Sequence, residues 1–473
     1  MFLVQGMSIP TLVSVLLSGL TLAALYFLVA SGLTLIFGLM DVLNFAQGSL
    51  FMLGAYAGWV LYANPRLLLN LAPLLLLFGA GAFVGALAAR RFALPRIGLW
   101  IAAGAAVVLT LFAVRDFPLA KLVAFGSSVT AQIISTPEAQ DPFQTMLVRL
   151  ALMFLAGCAV GLVVANRGDA ARPFSASRVI VAAVGLAGVG LALFFFREPL
   201  EQFILELDST LRFLLAVVTG AAAGGLLGAL LESSLIRPLY ARPIYQILLT
   251  LGLVFVFDQL IRLVWGPIGS VMQVPSFFSS SSSECPAPDL IAWLTLHCDS
   301  IQIFGRPFPS YRLFIILIGA LMAVAIILIM QRTRLGMIIR AGVQDSPMVE
   351  ALGINVRRVF TLVFALGAGL AGLGGVVAAP FLGVYPGMAQ EFLLQAFIVV
   401  VIGGLGSIPG AVLGALLVGL ARAFGDHLVL SGIQLPGMAD AISGSPAIAR
   451  ASTVLIMAIV LLVKPTGIFG KKE

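Results

Sequence analysis

The chain has 473 residues, of which 61% are apolar and only 10% are Asp, Glu, Lys or Arg. An ordinary soluble domain carries roughly 25% charged residues, so this composition excludes a soluble enzyme, a disordered chain and a nucleic-acid-binding protein. The net charge of +7 comes from 27 Lys and Arg against 20 Asp and Glu. These cations lie in short segments between apolar runs, where they set the orientation of a chain across a membrane.

The apolar runs predict an all-α, polytopic transmembrane helical bundle. A membrane-spanning helix needs about 20 apolar residues, and no stretch shows the alternation over roughly ten residues that membrane strands require. Runs long enough to span lie near 11–35, 45–62, 67–89, 98–114, 145–165, 179–196, 213–234, 244–265, 312–330, 360–380, 391–407, 410–424 and 451–463. Several runs are short or broken by Gly, so we expect about 12–13 spans.

Clusters of Arg and Lys predict which segments face the cytoplasm. Five clusters lie at 90–96, 167–178, 237–242, 332–358 and 464–472. If all five are cytoplasmic, an even number of spans separates each successive pair. The N-terminus and the 266–311 loop then lie outside, and the C-terminus lies inside. The first cation is Arg66, so the first run lacks the cationic flank of a cleavable signal peptide, and we expect a retained helix there.

The predicted outer loop contains two of the three cysteines, Cys285 and Cys298. Disulfides persist outside the cytoplasm, so this pair is either a disulfide that closes a small loop or two free thiols. The chain has only two histidines and no Cys-x-x-Cys motif, which predicts no metal or redox site. We therefore expect His297 to make a local contact within the loop.

The longest predicted cytoplasmic segment, 331–359, contains a short helix. Ser346 and Pro347 fit its N-cap and first helical position, and Gly353 fits the left-handed residue that ends it. One side of this helix is apolar, at Met348, Val349 and Leu352. An exposed apolar face between basic flanks indicates either docking on a partner or a helix that lies on the inner leaflet, held by Arg and lipid phosphate.

Four parts of the chain carry patterns that resemble those of a known family. They are GLTLIFGLMDVLNFAQGSLFMLGAY at 32–56, IRPLYARPIYQILLTLGL at 236–253, RTRLGMIIRAGVQDSPMVEALGIN at 332–355, and GGLGSIPGAVLGALLVG at 403–419 with KPTGIFG at 464–470. In this order, and over about 1–66 and 213–473, they resemble the branched-chain amino acid permeases of bacterial ABC importers.

The resemblance implies a non-enzymatic permease subunit, without a cofactor of its own, in the bacterial inner membrane. Its partners would be a second permease subunit, homologous or identical, two ATPase subunits and an extracytoplasmic substrate-binding protein, within membrane lipid and without nucleic acid. The sequence has no Gly-x4-Gly-Lys-Ser/Thr phosphate loop, so partner subunits would hydrolyse the ATP. The residues implied in ATPase coupling are Arg340, Ser346, Pro347, Met348, Val349, Glu350, Leu352 and Gly353.

Two features depart from the family pattern. Gln47 stands where the family usually has His, so a role that requires a titrating group is not expected there. Residues 66–212 have no counterpart in the pattern and contain four apolar runs, an even number that returns the chain to the same side. We therefore expect a membrane-embedded insertion of about four helices at 66–212 between permease core segments at 1–65 and 213–473.

A pathway for a zwitterionic amino acid needs polar partners within the membrane. DVLNFAQG at 41–48 interrupts two apolar runs, and if the helix breaks there, its free N–H groups could meet a substrate carboxylate. The alternative is that Asn44 caps the next helix while Asp41 faces cytoplasmic water. Glu391 lies in another apolar region, where ionisable groups usually face the bundle interior or water. The candidate pathway residues are Asn44, Gln47, Glu391 and Gln395.

Other recurring residues have a structural explanation. Asp258 and Arg262 are four residues apart and can pair on one helix face. Glycine pairs at the same spacing indicate helices that pack closely in lipid. These pairs are Gly81/Gly85, Gly224/Gly228 and Gly410/Gly414.

Two alternative functions remain open from the sequence. A permease for urea or short amides would share the fold of the family. A stand-alone secondary transporter or channel would need charges at mid-membrane for ion coupling and no docking helix, whereas most charges here lie between the apolar runs.

Overall fold

The computed structural model describes residues 8–40, 43–91, 95–114, 143–167, 176–240, 242–281, 283–344 and 346–431, with short pieces between 453 and 469. Within these ranges the chain is helical apart from one two-stranded sheet and its loops. It divides into two units, each with its own internal packing. The core unit comprises 1–62, 208–262 and 267–473, and the second unit comprises 63–207 and 263–266.

The described residues contain sixteen α-helices. In chain order they are α1 (Ile9–Met40), α2 (Gln47–Ala63), α3 (Pro65–Ala88), α4 (Arg96–Val114), α5 (Phe143–Arg167), α6 (Ala176–Phe195), α7 (Arg197–Glu206), α8 (Ser209–Leu231), α9 (Pro243–Trp265), α10 (Leu290–Leu296), α11 (Ser310–Arg332), α12 (Arg334–Gln344), α13 (Ser346–Ala351), α14 (Val356–Leu382), α15 (Met388–Gly403) and α16 (Ile408–Ser431). A π-helical turn (Glu232–Ile236) and a 3₁₀ turn (Arg237–Leu239) connect α8 to α9. A hairpin of β1 (Ser300–Ile303) and β2 (Arg306–Pro309) precedes α11.

Nine of the described helices are long and apolar enough to cross a membrane. The pair α6–α7, bent by 67°, makes a tenth if its halves form one span. The predicted polytopic helical fold is therefore confirmed. The expected count of 12–13 also included α2 and α15, which have 17 and 16 residues, and the run 451–463, which the structure describes only in short pieces. The number of spans stays a prediction.

Helix α14 is the most buried of the candidate spans, and small residues allow α2 and α8 to approach its backbone. A Cβ atom on Gly54 of α2 would lie 2.3 Å from the Cα atom of Gly372. On α8, a Cβ atom at Gly224 would lie 2.7 Å from the carbonyl oxygen of Ala368, and one at Gly228 would lie 2.3 Å from the Ala368 Cβ. The predicted packing role of this glycine pair is confirmed.

A glycine-rich turn brings α15 and α16 together. Gly406 has a φ of +78°, a left-handed conformation that suits glycine. Beyond the turn, a Cβ atom on Gly410 would lie 2.1 Å from the Gly403 carbonyl oxygen, and one on Gly414 would lie 2.4 Å from that of Val399. The second predicted pair therefore also packs two helices closely.

The second unit contains α3 to α7, and its helices pack on one another through the same kind of contact. A Cβ atom on Gly81 of α3 would lie 2.1 Å from the Phe154 carbonyl oxygen of α5, and one on Gly85 would lie 2.0 Å from that of Cys158. The third predicted glycine pair is thus a packing contact inside this unit, which covers most of the predicted insertion 66–212.

The loop between α9 and α11 is held together by a disulfide and an aromatic group. Cys285 and Cys298 are bonded to each other, with their Cα atoms 5.6 Å apart. The Trp293 indole N–H donates to the Cys298 carbonyl oxygen at 2.9 Å. His297 ends α10 in the left-handed conformation, and its ring centroid lies 4.5 Å from that of Phe277. His297 therefore makes a local contact within the loop.

Candidate functional site

The chain breaks between α1 and α2 inside the DVLNFAQG stretch. The Asn44 side-chain oxygen accepts the Ala46 N–H at 3.1 Å, which closes an Asx turn before α2 begins at Gln47. The Asn44 amide nitrogen donates to the Gln47 side-chain oxygen at 3.3 Å. Asn44 therefore supports the start of the next helix, and Asp41 lies outside the described residues.

Gln47 joins this break to the middle of α14. Its side-chain nitrogen donates to the Gly367 carbonyl oxygen at 2.8 Å, and both Asn44 and Gln47 are fully buried. A Cβ atom on Gly32 of α1 would lie 2.3 Å from this nitrogen, so only glycine leaves room for the bond. Three helices therefore meet at these two amides, and both amides are hydrogen-bonded within the chain.

Helix α9 presents a buried polar face to the core unit. Gln246, Thr250 and Asp258 are at least 95% buried, and their spacing in multiples of four places them on one side of a helix. Asp258 accepts from Arg262 at 2.7 Å, which confirms the predicted pair. Its other oxygen accepts the Gly387 N–H at 3.0 Å, at the start of α15. The spacing of Gln246 and Thr250 was a signal in the sequence that the pathway prediction did not use.

The two candidate pathway residues of α15 have different surroundings. Glu391 is half-buried and accepts a hydrogen bond from the Tyr385 hydroxyl at 2.9 Å. Gln395 is buried, and its side-chain oxygen has no hydrogen-bond partner among the described residues. The same holds for the side-chain nitrogen of Gln246. Buried polar groups are nearly always hydrogen-bonded, so these two amides differ from Asn44 and Gln47, whose amides are bonded to each other.

The α12–α13 segment, residues 334–355, corrects one sequence prediction. Met348 and Leu352 are 62% and 72% exposed, but Val349 is only 4% exposed. One residue along a helix turns the side chain by about 100°, so Val349 points away from Met348 and lines a small apolar cavity with Phe360 of α14. The exposed apolar face is therefore formed by Met348 and Leu352, without Val349.

The remaining coupling residues lie on the same segment. Gly353 has a φ of +83° after α13, which confirms its left-handed position. Arg340 and Glu350 are exposed. Helix α13 begins at Ser346, but the side chains of Ser346 and Pro347, and with them the predicted cap, lie outside the described residues. The sequence prediction missed Met337 of α12, which is 62% exposed.

A buried ion pair occupies the α8–α9 elbow, residues 232–240. Glu232 is fully buried in the π-helical turn. The Arg237 guanidinium donates to both of its carboxylate oxygens, at 3.0 and 2.7 Å, and the Tyr240 hydroxyl donates to one of them at 2.6 Å. Arg237 also donates to the Thr361 hydroxyl of α14. Sequence analysis did not single out Glu232, although it is the only charged residue in 213–236.

The fold and its buried polar contacts define a polytopic helical membrane protein. The family described as branched-chain amino acid transport system / permease component matches residues 15–115 and 177–463. The chain belongs to this family, which is a family of transport permeases and not of enzymes. The match includes 66–115 and 177–212 and omits 116–176, so it extends into the predicted insertion from both sides, and the boundaries of that insertion stay a prediction.

Curated relatives carry the same description. The chain is 37% identical over 203 residues to the high-affinity branched-chain amino acid transport system permease protein BraD of Pseudomonas aeruginosa, covering 43% of this chain and 61% of BraD. It is 30% identical over 198 residues to the corresponding protein LivH of Escherichia coli, covering 41% of this chain and 58% of LivH. The chain thus spans about three fifths of the length of these relatives. No solved structure matches it.

Proposed function

We propose that this chain is the membrane-spanning permease subunit of an ABC importer for branched-chain or other hydrophobic amino acids. The observation that supports this most is the family match over 15–115 and 177–463, and the names of BraD and LivH assign branched-chain amino acid transport to those proteins. The subunit has no catalytic activity and no cofactor of its own. Separate ATPase subunits hydrolyse the ATP.

The protein lies in the bacterial inner membrane with its N-terminus outside and its C-terminus in the cytoplasm. The clusters of Arg and Lys support this orientation. It places the α9–α11 loop outside, where the Cys285–Cys298 disulfide belongs to an oxidising compartment. The α12–α13 segment then lies in the cytoplasm.

The substrate passes along the buried polar groups of the core unit. Asn44 and Gln47 hydrogen-bond to each other and to α14, so they shape the pathway by holding the start of α2. The unpaired amide groups of Gln246 and Gln395 are available to a substrate. Glu391 stands near the outer end of α15. A hydrophobic amino acid is a zwitterion without net charge, and uncharged amides can hydrogen-bond to its ammonium and carboxylate groups.

The α12–α13 segment docks on an ATPase subunit. Met348 and Leu352 form its exposed apolar face, and Arg340 and Glu350 provide charges beside it. Two permease subunits, homologous or identical, and two ATPases form the importer within membrane lipid, and a soluble binding protein delivers the substrate from outside.

The test replaces one exposed residue of this face. Burying a Leu side chain contributes about 1.5–3 kcal/mol, so we expect Leu352→Asp to weaken ATPase retention by at least about tenfold. Uptake of labelled leucine should fall with it. The measurement is ATPase co-purification and leucine uptake at matched expression, with labelled urea as the second substrate.

Leu290→Asp is the matched control, because Leu290 is 61% exposed but lies on α10 in the outer loop. We expect it to retain the ATPase as the unmodified chain does. Equal retention and uptake in the Leu352→Asp protein would contradict the docking assignment. Uptake of urea without uptake of leucine would assign the chain to the short-amide permeases, and uptake without any ATPase would indicate a stand-alone transporter.

A further inference from the structure

Glu232 is a buried carboxylate in an otherwise apolar part of the chain. A buried charge is costly unless it is paired and hydrogen-bonded, and here Arg237 and Tyr240 together donate three hydrogen bonds to it. The turn that carries Glu232 is π-helical, a local widening of the helix that often occurs at functional positions. The side chain therefore links the end of α8 to the turn that leads into α9.

The elbow is attached to the first turns of α14. The Arg237 guanidinium donates to the Thr361 hydroxyl and reaches the Arg357 carbonyl oxygen at 3.5 Å. The Tyr240 ring packs edge-on against the Phe360 ring, with their centroids 6.2 Å apart. One charged and one aromatic contact thus hold the elbow to the part of α14 that directly follows the α12–α13 segment.

Further contacts connect the elbow to α13 on one side and to the α1–α2 break on the other. Phe360 and Val349 of α13 line the same small apolar cavity, so α13 and the ring that packs on Tyr240 share one packing site. On the other side, Ile236 of the elbow packs in a buried cluster with Ile36 of α1. Met40, the last residue of α1 before the α1–α2 break, packs against this cluster.

We propose that Glu232, with Arg237 and Tyr240, positions the α8–α9 elbow so that movement of the α12–α13 segment is transmitted to the α1–α2 break. This rests on the proposed function, because an ATPase must move the segment. Leaving Glu232 unpaired during such a movement would expose a buried carboxylate to an apolar environment. Glu232, Arg237 and the first turns of α14 therefore move together, and Ile236 carries the displacement to α1.

The test removes one hydroxyl from this network. Tyr240→Phe keeps the ring contact with Phe360 and deletes the hydrogen bond to Glu232. We expect transport of labelled leucine per ATP hydrolysed to fall by about tenfold, the factor that corresponds to one hydrogen bond to a charged group. The measurement uses proteoliposomes that contain the complete importer. Tyr245→Phe, the same change at a residue 56% exposed on α9, should leave the ratio unchanged.

A second variant and a check of complex assembly distinguish a loss of transmitted movement from a loss of folding or of ATPase binding. Glu232→Gln should lower the same ratio while the ATPase still co-purifies, and the elution profile in detergent should be unchanged. A normal ratio for Tyr240→Phe in an assembled importer would overturn the inference and leave the proposed function intact. A parallel loss of ATPase retention and transport, at an unchanged ratio, would also overturn it. Absence of an ATPase from the unmodified protein would instead contradict the proposed function.

Discussion

At the scale of single residues, Gln47 shows how one amide holds distant parts of the chain together. It donates to Gly367, 320 residues away, and accepts from Asn44 at the α1–α2 break, so both ends of the amide are used. The bond also depends on Gly32, where any side chain would displace the amide nitrogen. The break is therefore held in place by a buried hydrogen bond to α14.

We expect Gln47→Leu to lower the free energy of unfolding by about 1–3 kcal/mol, because the buried Asn44 side-chain amide would lose its acceptor and the bond between α2 and the Gly367 carbonyl oxygen would be lost. Thermal unfolding in detergent measures this change. Gln390→Leu is the control, since Gln390 is exposed and the same substitution there leaves no buried group unpaired. Equal unfolding temperatures for the two variants would contradict the role of Gln47.

At the scale of elements, Asp208 caps α8 and ties it to the loop between α9 and α11. Its carboxylate accepts the Thr210 N–H at 2.9 Å and the Ser276 hydroxyl at 3.0 Å. These hydrogen bonds, with the Thr210 N–H first, lower the pKa of Asp208 below its ordinary value because they favour the charged form. The cap therefore holds helix and loop together while Asp208 is ionised.

The pH dependence of this cap follows from the direction of the shift. Because folding lowers the pKa of Asp208, its contribution is complete above the ordinary value of 3.8 and is lost as the pH falls through the lower folded value. We expect the unfolding temperatures of the unmodified protein and Asp208→Asn to differ at pH 6, and the difference to begin shrinking near the ordinary pKa of 3.8 and to disappear only below the lower folded value. The group is exposed, so the difference is small. A constant difference across this range would contradict the prediction.

At the scale of the whole molecule, the chain contains a second unit in addition to its permease core. The unit has its own packing through Gly81 and Gly85 and an ion pair between Arg66 and Glu201 at 2.8 Å. The family match covers its two ends and omits 116–176. Because Asp208 belongs to the core unit and caps α8, the long segment of the second unit, 63–207, ends just before it.

We expect a chain without residues 66–207, joined by a short polar linker, to bind the proposed ATPase partner as the full chain does. The core unit keeps the α12–α13 segment, the elbow and the α1–α2 break, and this deletion spares Asp208, which removal of the full 66–212 would not. Co-purification of the ATPase with the shortened chain is the measurement. Loss of assembly would show that α3 to α7 belong to the core, consistent with the family match at 66–115 and 177–212.

Part of the candidate site could be predicted from the local sequence. The interruption at 41–48 marked the break between α1 and α2, the four-residue spacing of Asp258 and Arg262 marked their ion pair, and Gly353 marked the end of α13. The burial of Val349 and the buried contacts of Glu232 could not be predicted in this way. Val349 belongs to an apolar pattern whose buried and exposed members look alike. Glu232 lies in a turn whose π-helical geometry has no local signature.

The amino-acid sequence by itself determined a helical membrane bundle, because runs of about 20 apolar residues with few charges are stable only as helices in lipid. It also determined which glycines allow helices to touch, since that property needs only small residues at helical spacing. Only the tertiary structure decided that Gln47 reaches Gly367, that Arg237 reaches Thr361 and that Val349 faces Phe360. A local pattern specifies a helix and its faces, but the partner of each face is set by packing between segments far apart in the chain.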